Sequence, residues 1–273
     1  MYIPKHWARV HGDRITSLGW SDTSLADAER LARERLAKVQ ALRRGDTRPD
    51  DWDYYPTLPL KEEILETPPV SGVAAVITRN RAGAQVLNTD RAAFMDVDLP
   101  RPKPSAGGFL KSLFGIPRVD VQVAETVAIE RARDWASTNG ALLRAYRTAR
   151  GLRLIRMDRL MDPTAPDTHR MFAELGTDPQ YQRLCRIQKS FRARLTPKPR
   201  RVGMAESPGG HPRTDHRTRE AFARWLSSYE QASRGSAVCA LIGDFGPGRP
   251  AEPARRVADL HDRWTVVPNL KLA

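Results

Sequence analysis

Leu142-Leu143-Arg144-Ala145-Tyr146-Arg147-Thr148-Ala149-Arg150-Gly151-Leu152-Arg153-Leu154-Ile155-Arg156-Met157 is the stretch on which the fold class turns. Apolar and aromatic residues recur over 142–148 and again over 152–157, and Arg150-Gly151 breaks the two runs. That pattern predicts a β-hairpin. Just upstream, Val121 to about Thr138 carries Ala124, Val127, Ala128, Arg131 and Trp135 along one side, as a helix does. Farther upstream, Val73–Thr78, Ala84–Thr89 and Ala92–Leu99 read as strands, with Asn80-Arg81-Ala82-Gly83 as a turn. Connections this short predict an antiparallel meander. Residues 100–118 form a Pro/Gly-rich excursion between strand and helix.

Downstream of the hairpin come two short helices, the second opening at Asp178-Pro179, a cap followed by proline in the first turn. Phe191–Leu195 reads as a strand and 196–214 as a basic loop rich in Pro and Gly. A helix over about 215–233 presents Phe222, Trp225, Leu226 and Tyr229 on its apolar face. Ser236–Gly243 reads as a strand, Pro253–Asp262 as the last helix and Thr265–Val267 as a last short strand. Toward the start of the chain, residues 5–20 predict a hairpin around His11-Gly12-Asp13. A helix over about 24–43 follows, with Leu25, Ala28, Leu31, Ala32, Leu36, Val39 and Leu42 at steps of three or four and Gly45 as its stop. Hairpins with interspersed helices give an α+β fold with an antiparallel or mixed sheet, rather than a doubly wound parallel one. The expected organisation is an N-terminal ββα unit over 1–45, a Pro-rich acidic linker over 46–71 and a main α+β domain over 72–273.

The chain has 273 residues, 40% hydrophobic and 28% charged, enough apolar content for a core and too much for wholesale disorder. No apolar run approaches the roughly 18–20 residues of a membrane helix. The start, Met-Tyr-Ile-Pro-Lys-His-Trp, lacks the apolar segment of a secretory signal. Cys185 and Cys239 lie in no CxxC pair and read as buried, unpaired thiols of a reducing cytoplasm. The six His form no zinc pattern, and adjacent His261-Asp262 read as a surface pair. Motifs for a nucleophile elbow, a phosphate-binding P-loop or a dinucleotide fold are missing.

Lys plus Arg total 45 against 32 Asp plus Glu, a net charge of +13. Such a surface suits DNA or RNA, whose condensed counterions it would release. Only 8 of the 45 are Lys, and an Arg- and Ala-rich mix is also what a GC-rich coding sequence gives. One stretch concentrates the charge. Arg183, Arg186, Lys189, Arg192, Arg194, Lys198, Arg200 and Arg201 put eight cations in 19 residues without an acid, with Tyr181 and Phe191 interleaved. This is a candidate phosphate-binding patch. The hairpin arginines Arg144, Arg147, Arg150, Arg153 and Arg156 would extend it.

Phe94-Met95-Asp96-Val97-Asp98 is the second candidate. Residues i and i+2 of a strand share a face, so Asp96 and Asp98 could hold Mg²⁺ or Mn²⁺ and support phosphoryl or nucleotidyl transfer. With 20 Asp in the chain, roughly 1.5 Asp-x-Asp triplets arise by chance, and the other one here is Asp51-Trp52-Asp53. A third candidate is Phe109, Leu110, Leu113, Phe114 and Ile116, an apolar cluster that would pack on its own domain, or dock a partner or a membrane surface.

The hydrophobic-Asp-hydrophobic-Asp strand, the following helix and the Gly-centred hairpin together resemble the core of archaeo-eukaryotic primase-polymerases. The resemblance implies metal binding at Asp96 and Asp98 and a third carboxylate at Asp158 or Asp244. The family's hairpin carries a nucleotide-binding His; here Arg153 stands at that place. A second resemblance runs along nearly the whole chain. Gly19-Trp20-Ser21-Asp22, Ile77-Thr78-Arg79-Asn80, Val86-Leu87-Asn88-Thr89, Tyr146-Arg147-Thr148 and Phe191–Pro199 are similar to a set of uncharacterised bacterial proteins, which implies no activity.

Three functional readings follow: a nucleic-acid-associated protein that binds phosphate backbone through 183–201 and the 144–156 hairpin, a metal-dependent nucleotidyl or phosphoryl transferase, and a protein-interaction module. Convergence of Asp96, Asp98 and a third carboxylate would favour the transferase. A flat, continuous Arg face with no cleft would favour the binder, and arginines dispersed around the surface the interaction module.

Overall fold

Ser24 Oγ accepts the Asp27 amide at 3.1 Å, and Gly45, at φ 82°, closes the other end of the first helix. These are the local instructions for α1 (Leu25–Arg44), which follows the hairpin of β1 (His6–Gly12) and β2 (Ile15–Ser21). Helix and hairpin meet through small residues. A Cβ on Gly19 would stand 2.0 Å from the Ala28 carbonyl oxygen, so only glycine admits this approach. The ββα unit thus has a small core of its own, made by Ala8, Ala28 and Ala32 with Val10 against them. The computed structural model describes residues 1–12, 15–45, 59–100 and 121–273. The expected hairpin turn at Asp13, the segment 46–58 with Asp51-Trp52-Asp53, and the 109–116 apolar cluster lie outside the described residues.

The rest of the chain builds two four-stranded antiparallel sheets. In chain order the elements are β3 (Glu63–Glu66), β4 (Ala75–Arg79), β5 (Gln85–Thr89), β6 (Phe94–Asp98) and α2 (Val121–Thr138). Next come β7 (Leu143–Thr148), β8 (Gly151–Arg156), α3 (Pro166–Glu174), α4 (Pro179–Gln188) and β9 (Phe191–Arg194). A 3₁₀ turn (Pro199–Val202), α5 (His216–Ser233), β10 (Ser236–Ala237), β11 (Cys239–Phe245), α6 (Glu252–Thr265) and β12 (Lys271–Leu272) complete the chain. One sheet runs β3-β4-β5-β9 and the other β11-β7-β8-β6; β10 and β12 add a short parallel pair. The fold is α+β with antiparallel sheets and a leading ββα unit, as the hairpin pattern predicts.

Several details differ from the expectations. β6 does not continue a meander with β4 and β5. Ala92 and Ala93, both fully buried, carry the chain through the core to pair with β8 in the other sheet. Small side chains permit that crossing, and Phe94, Met95 and Val97 are then buried in turn. Residues 63–66, within the expected linker, form an edge strand on β4. The 236–243 strand is split at Val238, and Thr265 ends α6 rather than opening a strand. The final strand lies at 271–272 instead.

A single large core joins the two sheets. Ile77, Leu87 and Phe191 enter it from one, Phe94, Leu143 and Leu154 from the other, and Ala132, Ala136 and Val257 from α2 and α6. Cys185 and Cys239 are buried in it as free thiols.

Candidate functional site

Register decides what meets at the site. Asp96 of β6 lies opposite Arg153 of β8, and Arg153 opposite Tyr146 of β7. Cross-strand partners share a face, so these three side chains form one row. One step along, Asp98 faces Gly151 and Gly151 faces Thr148. A Cβ on Gly151 would stand 2.0 Å from the Val97 carbonyl oxygen; glycine lets the hairpin tip close onto β6.

Arg153 is the centre of the row and is only 2% exposed. Its Nε and Nη2 donate to the two carboxylate oxygens of Asp96 at 2.7 and 3.1 Å. Its Nη1 donates to the Arg194 carbonyl on β9 at 2.9 Å. One guanidinium therefore ties the two sheets together. Nη1 also lies 3.3 Å from His261 Nε2. His261, on α6, is fully buried, and its Nδ1 lies 3.2 Å from Asp262 Oδ1. The network assigns a neutral imidazole that donates from Nδ1 to Asp262 and accepts from Arg153 at Nε2. Asp262 also takes the Tyr146 hydroxyl and, at 3.0 Å, Arg144 Nη1.

The electrostatics agree with this assignment. Burial pushes the His261 pKa down to about 4, and the Arg153 charge acts in the same direction against the hydrogen bond to Asp262. Burial would raise the Asp96 carboxyl, but the Arg153 guanidinium outweighs it and the net shift is downward. Burial opposes the charge on Arg153 too, and Asp96 more than offsets that. The pair is ionised on both sides.

Beside this row, at the junction of the two sheets, lies a cavity of about 60 Å³. Asp96, Asp98, Arg150, Arg194, Lys198 and Arg201 line it, with Leu152, Arg153, Thr148 and Val238. Arg194 reaches it from β9, and Arg150 from the β7–β8 turn. Lys198 caps the 3₁₀ turn, between Pro197 and Pro199, which fix their own φ angles. Tyr229 of α5 anchors this segment by donating to the Pro197 carbonyl at 2.6 Å. Among the described residues, the side chains of Arg150, Arg194 and Lys198 have no ion-pair partner, and Arg194 Nε is buried without a hydrogen bond. Burial, then the neighbouring Arg153, pushes Arg194 down to about 10. Burial, then Arg194, Arg201, Arg200 and Arg150, pushes Lys198 down to about 8. Cations crowded in this way, short of counter-charge, favour an anion.

The sequence-predicted patch divides. Arg153, Arg194, Lys198 and Arg201 meet at the cavity. Arg192 shares the outward face of β9 with Arg194 but turns to Glu62 at 2.6 Å. Arg147 pairs with Glu125, Arg144 with Asp244, and Arg156 with Asp158. Arg183 and Arg186 lie on α4, where Arg186 Nε is 3.4 Å from His169 Nε2, and Lys189 ends that helix at φ 49°. Arg200 lies in the 3₁₀ turn, outside the cavity lining. Asp96 and Asp98 do come together, but Asp158 and Asp244 are held by their own arginines and do not line the cavity. Among the described residues, no three His, Cys, Asp or Glu side chains gather as a metal-ligand group.

His261, fully buried with Asp262 half-buried beside it, corrects the surface reading. Ala254, Val257, Ala258, His261 and Thr265 recur at steps of three and four and are all buried. That spacing was the available signal, since His261 falls on the apolar stripe of α6. Comparison with protein-family models, curated proteins and solved structures finds no match for the chain. Among the described residues, no helix is long and apolar enough to cross a membrane.

Proposed function

We propose that this protein binds nucleic acid through its phosphate groups, with the cavity between Arg150, Arg194 and Lys198 as the anchoring point. The observation that carries the reading is the convergence of three cations without ion-pair partners on one cavity, in a chain of net charge +13. A basic surface alone would be compatible with any solvated face. Arg194 and Lys198 are half-buried and short of counter-charge, which is costly, and a bound phosphate relieves that cost.

The test is fluorescence anisotropy of labelled DNA and RNA oligonucleotides across a salt series. Affinity falls steeply with salt, and Arg194→Ala with Lys198→Ala weakens binding about tenfold or more at low salt. Wild-type protein that binds neither polymer at low salt would remove the reading.

The transferase reading draws on one observation, the shared position of Asp96 and Asp98 at the cavity. The Mg²⁺ or Mn²⁺ it needs fits the residues poorly. Both oxygens of Asp96 are occupied by Arg153, and Asp98 is surrounded by cations rather than further oxygen ligands. The function proposed here therefore requires no metal-dependent step.

A further inference from the structure

We infer that the cavity seats a terminal phosphate, a phosphomonoester dianion, directly on Arg150, Arg194 and Lys198 and without a divalent metal. The inference rests on the phosphate-binding reading above and narrows it to one chemical class.

Size is the first argument. The cavity is small, about 60 Å³, which suits a single tetrahedral oxyanion better than a nucleoside. Its floor is closed by Leu152, Arg153 and Val238, all buried. An internal phosphodiester carries an ester substituent on two sides and needs an open trough. A terminal phosphate enters head first with only one.

Charge is the second argument. Asp96 and Arg153 neutralise each other. The three cations without ion-pair partners then face one carboxylate, Asp98, which also has no partner among the described residues. Arg201 lines the cavity as well, so its cations outnumber its remaining carboxylate by two or more. A monoester dianion answers more of that excess than a diester monoanion does.

The third argument concerns the metal. Where a resemblance to primase-polymerases would place a chelating carboxylate pair, Arg153 bridges both oxygens of Asp96. A divalent ion would have to displace a guanidinium that is also held by the Arg194 carbonyl and His261. It would then sit among Arg150, Arg194, Lys198 and Arg201, whose field repels it. The same field attracts a phosphate, and Arg153, by holding the Arg194 carbonyl, fixes the strand that presents the Arg194 side chain.

Proton uptake is a consequence. Arg194 from β9, Arg200 and Arg201 from the 3₁₀ turn and Arg150 from the hairpin tip all disfavour the charged form of Lys198. A dianion among them, beside Asp98, restores it. Binding above neutral pH should therefore take up protons and weaken as pH rises past about 8.

The experiment compares one short oligonucleotide with a 5′-phosphate, a 3′-phosphate or no terminal phosphate, and inorganic phosphate alone, by titration of the full chain in EDTA and in Mn²⁺. The expected result is about tenfold tighter binding of a phosphorylated end than of the unphosphorylated strand. The preference should be equal in EDTA and Mn²⁺, and absent in Lys198→Met. Arg150→Ala, at the exposed hairpin tip, gives a second variant should Lys198→Met fold poorly. Binding of inorganic phosphate that is lost in both variants, without any preference among the strands, would make free phosphate the source of the same dianion. Equal affinity for all three strands with no binding of inorganic phosphate overturns the inference and leaves backbone binding standing. A preference that appears only with Mn²⁺ overturns the metal-free seat. No binding of any strand, with inorganic phosphate also silent, removes the phosphate-binding reading itself.

Discussion

Arg153 looks in the sequence like one more arginine in an arginine-rich hairpin, and in the fold it is the most committed side chain at the site. Composition cannot tell a solvated guanidinium from one buried between two sheets; that distinction depends on which acid the register places opposite. The register sets Asp96 there, so the hairpin arginines separate into Arg153, paired with Asp96 at the cavity, and Arg144, Arg147 and Arg156, paired with other acids. Replacing Arg153 with Met strands the Asp96 carboxylate and removes the guanidinium donor from the Arg194 carbonyl and His261 Nε2. The expected loss is about 3–5 kcal/mol in urea unfolding, the range for breaking a buried pair. The double variant Asp96→Leu with Arg153→Met should recover much of it, because the unpaired charge goes with its partner. If the double variant is as unstable as the single one, the pair is not the source of the loss. His261 makes a second prediction at this scale. The unfolded chain protonates this residue near pH 6.5, whereas the folded chain resists until about 4. The unfolded state then binds more protons across that window, and stability falls as pH drops through it, by on the order of 3 kcal/mol. His169 and His211 shift in the same direction, so the measured quantity is the difference between wild type and His261→Gln. The glutamine keeps an acceptor for Arg153 and does not titrate. Its unfolding midpoint should be flatter between pH 6.5 and 4. A parallel pH profile would mean that His261 already carries its proton in the fold.

At the scale of elements, what depends on neighbours in sequence was legible and what depends on pairing across the core was not. The hairpin over 142–157, the helix over 121–138 and the helix stop at Gly45 are local patterns, and each stands where the sequence puts it. The departure of β6 from β4 and β5 was not legible, because a buried strand has apolar residues on both faces and its pattern names no partner. The cavity was half legible for the same reason. Arg194 and Lys198 were marked as a basic patch by their spacing, but their meeting with Arg150 and Asp98 requires β9 of one sheet to approach β6 and β8 of the other. The hairpin tip is the element that closes this junction, and Gly151 is its tightest point. Gly151→Ala drives a Cβ against the Val97 carbonyl, a backbone atom with little freedom to give way. We expect about 3 kcal/mol of destabilisation, the upper end for overpacking. The displaced tip should also carry Arg150 away from the cavity, with loss of affinity for a phosphorylated oligonucleotide. An alanine variant with wild-type stability and binding would show that the tip does not need this approach.

At the scale of the whole molecule, the number of independent cores determines how the chain comes apart. Both large sheets feed one core, and Arg153 adds a polar tie between β8 and β9. Loss of either sheet exposes the apolar face of the other, so the two should unfold together. The N-terminal unit is different, since Ala8, Ala28 and Ala32 form a separate cluster built mostly of small side chains. Each alanine buries little area, and Trp7 and Leu36 are the larger buried side chains of the unit, so it gains less from the hydrophobic effect than the main core does. Its amides should therefore open at a lower free energy than those of β5, β7 and β8 in native-state hydrogen exchange. Gly19→Val sharpens the test, because the new side chain meets the Ala28 carbonyl and the Ala32 amide. Exchange should accelerate across β1, β2 and α1 while the sheets, the cavity and phosphate affinity remain as in wild type. Exchange that accelerates equally in β7 and β8 would mean that the hairpin-helix unit is part of the main cooperative fold, and the cavity would then depend on its attachment as well as on the two sheets that line it.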